Sequence, residues 1–180
     1  MLTLKNTVLI VVDVQGRLAQ VMHQKERLVE NLQKVIQGAQ VLDIPIIWNE
    51  QVPEKLGQTI PEIAQLLTNT TQAIPKTSFS CCGNPPFMEQ LKALNRKQVL
   101  IAGIEAHVCV YQTSLDLLNL GYEVQVVSDA VSSRTPENKQ IGLERMKEAG
   151  ASLTSAETAL FELLRTAEGP KFREITKIVK

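Results

Sequence analysis

Five consecutive aliphatic residues, Val8-Leu-Ile-Val-Val12, run straight into a carboxylate, Asp13. A strand with one face in solvent alternates apolar and polar positions. An unbroken β-branched and leucine run needs cover on both faces, as the inner strands of a parallel sheet have. The rest of the chain repeats this grammar. Over residues 25–42, Leu28, Leu32, Val35, Ile36 and Ala39 recur at helical spacing, and Pro45 then ends any helix and opens Ile46-Ile47-Trp48. Thr59 with Glu62 has capping-box spacing for a short helix carrying Ile63, Leu66 and Leu67, and residues 73–75 read as a brief strand.

Asn84 and Pro85 form an N-cap and first-turn pair for a helix through Leu94, and residues 98–102 are another buried run, closed by Gly103. A helix over 107–120 ends at Gly121 and a strand over 123–128 follows. Thr135-Pro136 then starts a helix that Gly150 stops, and Thr154 with Glu157 caps a last one. Strands alternating with helices at this spacing predict an α/β fold. The expectation is a single doubly wound, three-layer domain over residues 1–180, with a six-stranded parallel sheet and right-handed crossovers.

Composition agrees and narrows the function. With 180 residues, 44% hydrophobic and 21% charged, one globular core is expected. Nineteen basic residues against nineteen acidic ones leave no basic footprint for a phosphate backbone or anionic lipid, so neither nucleic acid nor membrane is an expected partner. The early aliphatic run is too short for an export signal or a membrane span, and three cysteines without C-x-x-C spacing suggest a reducing, cytoplasmic location. With only His23 and His107 available, no metal or cofactor is expected.

In open α/β sheets ligands bind beyond the carboxyl ends of the strands, where the strand order reverses. The residues expected there are Asp13-Val14-Gln15, Asn49-Glu50-Gln51, Lys76-Thr77-Ser78, residues 103–109, then Asp129 and Ser132-Ser133-Arg134. A carboxylate, an ammonium and a thiol thus gather at one edge of the sheet. A cation and a helix N-terminus favour the thiolate and a carboxylate moves the proton, so Cys109, near the start of its helix, is placed as a nucleophile.

Four segments then carry a resemblance over residues 8–164. They are Val8-Leu-Ile-Val-Val-Asp13-Val-Gln15, Pro75-Lys76-Thr-Ser-Phe79-Ser, Gly103-Ile-Glu-Ala-His-Val-Cys109-Val-Tyr-Gln-Thr113 and the stretch through Val126-Val127-Ser-Asp129-Ala130 and Ser132-Ser133-Arg134. The sequence resembles the isochorismatase-like cysteine hydrolases. It is most similar to the isochorismatase-domain-containing subfamily, through Glu50-Gln51-Val-Pro53, Leu56-Gly57-Gln-Thr59-Ile-Pro61-Glu62 and Gly103-Ile-Glu-Ala106. The resemblance implies a catalytic triad of Asp13, Lys76 and Cys109, and a non-proline cis peptide at Ile104-Glu105. It also implies an oxyanion hole from the backbone N–H groups of Glu105 and Cys109, and hydrolysis of a small carboxamide through a thioester. It further suggests a homo-oligomer, a dimer or higher. Two departures bear on the substrate. The stretch after the second strand lacks the histidine of metal-dependent nicotinamidases, which weighs against nicotinamide, and true isochorismatases have no cysteine at the position of Cys109.

Plainer readings exist for individual residues. Gln15, Trp48, Gln51 and Phe79 read as pocket lining, although an aromatic at a strand end is as readily packing. His107, two residues from Cys109, faces another side of the helix and reads as structural or rim. His23 carries no signal. Cys81 and Cys82 read as loop or interface residues, and Ser133-Arg134 either orients a substrate carboxylate or caps the next helix. The apolar face of Phe172, Ile175, Ile178 and Val179 needs the core or a neighbour to cover it. The competing functions are a catalytically idle scaffold, a receiver domain, which lacks an acidic partner beside Asp13, and a dinucleotide site, which lacks the glycine spacing.

Overall fold

The computed structural model describes all 180 residues. In chain order the elements are β1 (Thr7–Val12), α1 (Gly16–Gln20), α2 (Lys25–Val41), β2 (Ile46–Gln51), α3 (Pro53–Leu56), α4 (Pro61–Leu67) and β3 (Ala73–Lys76). A 3-10 turn at Cys81–Gly83 leads to α5 (Pro85–Ala93), β4 (Gln98–Ile104), α6 (Cys109–Asn119), β5 (Glu123–Ser132), α7 (Pro136–Glu148), β6 (Ser152–Thr154), α8 (Ala156–Leu164) and α9 (Gly169–Val179). All strand pairs are parallel, in the order β3-β2-β1-β4-β5-β6. This is the doubly wound sheet the alternation predicts, and its order reverses between β1 and β4.

Period-2 alternation sorts the interior into two cores. Leu9 and Val11 of β1 join the larger one with residues of α2, α4, α8 and α9. Val8, Ile10 and Val12 face the other way, against α5, α6 and α7. That is why β1 reads as an unbroken aliphatic run. The face of α9 is covered from within: Ile175 is fully buried in the larger core, and Phe172, Ile178 and Val179 pack against it. The tail therefore lends no support of its own to self-association.

Several local signals land differently from their sequence reading. Thr59 does not cap α4, whose N-cap residue is Ile60 with no side-chain cap, because its hydroxyl is engaged by Glu50 and Trp48. Asn84 sits at the N-cap of α5 but donates its amide to Pro75 O instead. The last cap moves one residue along, with Ser155 rather than Thr154 accepting from Thr158 N–H. Thr135 caps α7 as expected, accepting from Asn138 N–H.

β5 runs past 128 to Ser132 because its pairing with β4 slips: Ile101 is opposite Val126 but Gly103 is opposite Val131, five residues of β5 against two of β4. On the other edge of β4, Gly103 approaches β1 so closely that a Cβ would lie 2.1 Å from Val12 O, and its φ is +121°. Only glycine fits there. The close approach sets the ends of β1 and β4 side by side at the switch point.

Candidate active site

Asp13 follows the last residue of β1 in the left-handed region, φ 52°, which aspartate tolerates better than most residues. Its N–H still donates to Asn49 O of β2, so the residue is fixed by the ladder even as the chain turns away. Lys76 is the last residue of β3, in register with Gln51 at the end of β2. Its side chain is wholly buried and its Nζ lies 2.8 Å from Asp13 Oδ2. It also donates to Gln51 Oε1 at 2.5 Å, Phe79 O at 3.0 Å and Ser78 O at 3.1 Å. The chain after β3 curls back so that two of its own carbonyls complete the shell of the ammonium.

Cys109 is the first residue of α6 and is 7% exposed. Its thiol lies close to the Asp13 carboxylate, and each group acts on the other. Asp13 Oδ2 is taken by Lys76, whereas Oδ1 is buried with no fixed partner. One oxygen is thus held by the cation and the other is left without a partner. Burial pushes the Asp13 carboxyl up from its ordinary value, with Lys76 opposing. Burial also raises the Cys109 thiol, and the Asp13 charge raises it further, against the opposing pull of Lys76. The sequence reading, from a helix start and a nearby cation, favoured a poised thiolate. Burial and the carboxylate outweigh the cation and hold the thiol above its ordinary value.

The peptide bond between Ile104 and Glu105 is cis. In the turn that follows, the N–H groups of Ala106, Val108 and Val110 donate to carbonyls at 2.7, 3.1 and 3.2 Å, while those of Glu105 and Cys109 have no backbone acceptor. The turn is clamped from outside. Arg134 Nε donates to Glu105 Oε1 at 3.0 Å, and His107 Nδ1 lies 2.9 Å from Ser133 Oγ. Arg134 thus pairs with Glu105 and the cap of α7 belongs to Thr135. His107 faces Ser133, as a structural or rim histidine would. Beneath the turn, a Cβ on Gly142 of α7 would lie 2.7 Å from both Ala106 C and O.

Three of the four residues read as pocket lining are occupied otherwise. Gln15 is fully buried, its amide donating to Gln51 O and Gly57 O and its Oε1 accepting from Gln51 N–H. Gln51 accepts from Lys76 and donates to Thr77 O, so it positions the ammonium. Trp48 belongs to the larger core, on the far side of the sheet from Cys109, and donates to Thr59 Oγ1 at 2.8 Å. Only Phe79 is exposed, at 55%. Glu50, expected at the strand end without a stated role, is buried, accepts from both Thr59 N–H and Thr59 Oγ1 at 2.7 Å, and ties the loop after β2 to the strand. Its signal was a charged residue inside what proved to be strand. Cys81 and Cys82 are free thiols, pushed up by burial to about 12 and about 11. Cys81 is fully buried beneath the site, its N–H donating to Thr113 Oγ1 one turn beyond Cys109.

A thiol, a carboxylate and an ammonium thus gather at the switch point of a doubly wound α/β sheet, an architecture shared with isochorismatase-like structures. The chain belongs to the isochorismatase family: the model of the Isochorismatase domain matches residues 7–158. Among curated relatives, a secreted isochorismatase effector of Phytophthora sojae is 39% identical over 180 residues, covering 97% of this chain and 85% of its own length. Isochorismatase domain-containing protein 1 of Danio rerio is 40% identical over 149 residues, 82% of this chain and 52% of that protein, so the chain spans about half of it. Among solved structures, the MAR1 ribonuclease of Caenorhabditis elegans superposes with a TM-score of 0.93 at 38% identity, covering 99% of this chain and 91% of that one. No helix is long and apolar enough to cross a membrane.

Proposed function

We propose that this isochorismatase-family hydrolase cleaves a small carboxamide by covalent catalysis through Cys109. The observation that carries this reading is the buried Asp13–Lys76 pair at 2.8 Å, with the Cys109 thiol close to the Asp13 carboxylate. A substrate carbonyl oxygen enters between the N–H groups of Glu105 and Cys109. Asp13 takes the thiol proton as sulfur bonds to the carbonyl carbon, and the two N–H groups hold the tetrahedral oxyanion. Asp13 then gives the proton to the amine as the C–N bond breaks, so ammonia leaves and a thioester remains. Asp13 next takes a proton from water, hydroxide adds, and the C–S bond breaks to return acid and thiol.

Lys76 holds Asp13 in place through both half-reactions, and burial raises the carboxyl toward working pH, where a group serves best as both base and acid. The test measures ammonia release over a panel of small aliphatic and aromatic amides, with the intact mass followed for an acyl adduct on Cys109. Cys109→Ala should lower turnover by about 10⁴-fold or more. Unchanged turnover in that variant refutes the mechanism. Neither turnover nor adduct across the panel favours the idle scaffold. A second reading, ribonuclease activity, follows from the C. elegans relative. The zero net charge opposes it, and RNA cleavage that is lost in Cys109→Ala would establish it.

A further inference from the structure

A cavity of about 230 Å³ opens between the N-terminal end of α2, the slipped part of β5 and α7, and it shares no lining residue with the Asp13–Lys76–Cys109 group. Its polar wall is made by His23, Gln24, Arg27, Ser128, Asp129 and Lys139. It is much larger than the volume of about 30 Å³ that one water occupies in the liquid.

Arg27 and Lys139 both face this space, and neither takes part in any of the five ion pairs of the chain. They feel each other: half-burial and the charge of Arg27 together hold the Lys139 ammonium below its ordinary value, against the pull of Asp129. Asp129 offsets only part of this charge: its Oδ1 accepts from Ala156 N–H at 2.9 Å, at the first turn of α8, and its carboxylate still draws on Lys139. Two cations and one carboxylate therefore share one concavity, which keeps an excess of positive charge, and neither cation is held in an ion pair. A group that neutralises both would relieve the repulsion and make charge-assisted hydrogen bonds to each.

We propose that this cavity binds a small doubly charged oxyanion, a phosphate or phosphate monoester, between Arg27 and Lys139. The planar guanidinium offers two parallel donors to two phosphate oxygens, and the ammonium supplies a point charge from the opposite wall. Gln24 lines the same space with a neutral donor, whereas the Ser128 hydroxyl already donates to Thr154 O at 2.8 Å. A monoanionic carboxylate matches only one of the two cations, which sets the expected preference for phosphate.

The test is calorimetric titration of the full chain with inorganic phosphate, and separately with acetate, in buffer of low ionic strength, where an exposed guanidinium is least screened. One saturable phosphate site per chain is expected, with acetate weaker. Arg27→Gln and Lys139→Gln should each weaken phosphate by about tenfold or more, the effect of losing a charge-assisted hydrogen bond. Arg173→Gln, on the exposed side of α9, should leave it unchanged. In parallel, phosphate titrated into the isotope-labelled wild type should shift the amide signals of Gln24, Arg27, Ser128 and Asp129, a readout that needs no variant to fold. Absence of saturable binding, shifts confined to other residues, or equal weakening by Arg173→Gln overturns the proposal.

Discussion

Lys76→Met isolates the contribution of the buried ion pair. Methionine follows the path of the lysine chain and fills its space, so what is lost is the charge and its donors to Asp13, Gln51, Ser78 and Phe79. The side chains of Lys76 and Asp13 are 0% and 2% exposed, so Asp13 cannot turn to water for compensation. Removing one partner of such a pair destabilises by about 3–5 kcal/mol while the other stays charged. That is a large part of a total stability of about 5–15 kcal/mol.

The deficit must depend on pH. In wild type burial already holds the Asp13 carboxyl above its unfolded value of 3.8, against the pull of Lys76; without Lys76 it rises further. A raised carboxyl contributes stability that is present below its unfolded pKa and is lost as pH rises through the folded one. The variant should therefore lie closest to wild type in acid and furthest from it above the folded pKa of Asp13. Urea unfolding followed by circular dichroism at pH 5 and pH 8, each against wild type, reads this directly. Asp13→Asn added to Lys76→Met removes the stranded charge and should recover part of the loss at pH 8. A deficit under about 1 kcal/mol at pH 8, a deficit independent of pH, or a double variant less stable than Lys76→Met would refute the reasoning.

Other expectations follow from the same geometry. Asp13→Asn removes a charge that raises the Cys109 thiol and leaves Lys76 beside it, so iodoacetamide should label Cys109 faster at pH 8, read by peptide mass spectrometry; a slower rate contradicts the electrostatic account. Asn49 is fully buried with both amide atoms unpartnered, so Asn49→Leu should raise the urea midpoint, by about 1–3 kcal/mol in stability, and a lower midpoint would show that the amide is satisfied in solution. Gly142→Ala adds a methyl 2.7 Å from the Ala106 backbone, a collision that outweighs the gain in helix propensity; a melting temperature at or above wild type would refute it. The family resemblance, not the geometry, suggests a homo-oligomer: light scattering at micromolar concentration should then give a mass above the 20.0 kDa of one chain, and a monomeric mass ends that reading.

The fold was legible where burial leaves one choice. Residues 8–12 have no polar position because β1 is covered on both faces, and that pattern survives any uncertainty in the loops. It failed where a side chain had two local partners to choose between. Thr59 has the sequence spacing of a cap, yet its hydroxyl goes to Glu50 and Trp48, residues whose proximity only the tertiary fold creates. Strand β5 looked shorter because Asp129 read as lying beyond its end; the slipped register lets the strand continue past it. At the site, the chemical kit was readable and its energetics were not. A cation and a helix start are visible in sequence, whereas the degree of burial that lifts the Cys109 thiol is a property of everything packed around it. Gln15 and Gln51 look like substrate contacts on paper because nothing in a linear sequence shows that a backbone or an ammonium has already claimed an amide.

The two cores behind the sheet differ in what they must preserve. Neighbours in sequence such as Leu9 and Ile10 lie in separate compartments, so a change in one is screened from the other by the strand layer itself. Cys109 and Cys81 lie in the smaller compartment, which is the floor of the chemistry, whereas the larger one contains neither and meets the site through Ile104 of the cis peptide. Substitutions should accumulate most freely in the larger compartment, and pairs drawn from opposite compartments should combine additively. In effect the sheet partitions the chain into a half that can drift and a half held to its geometry.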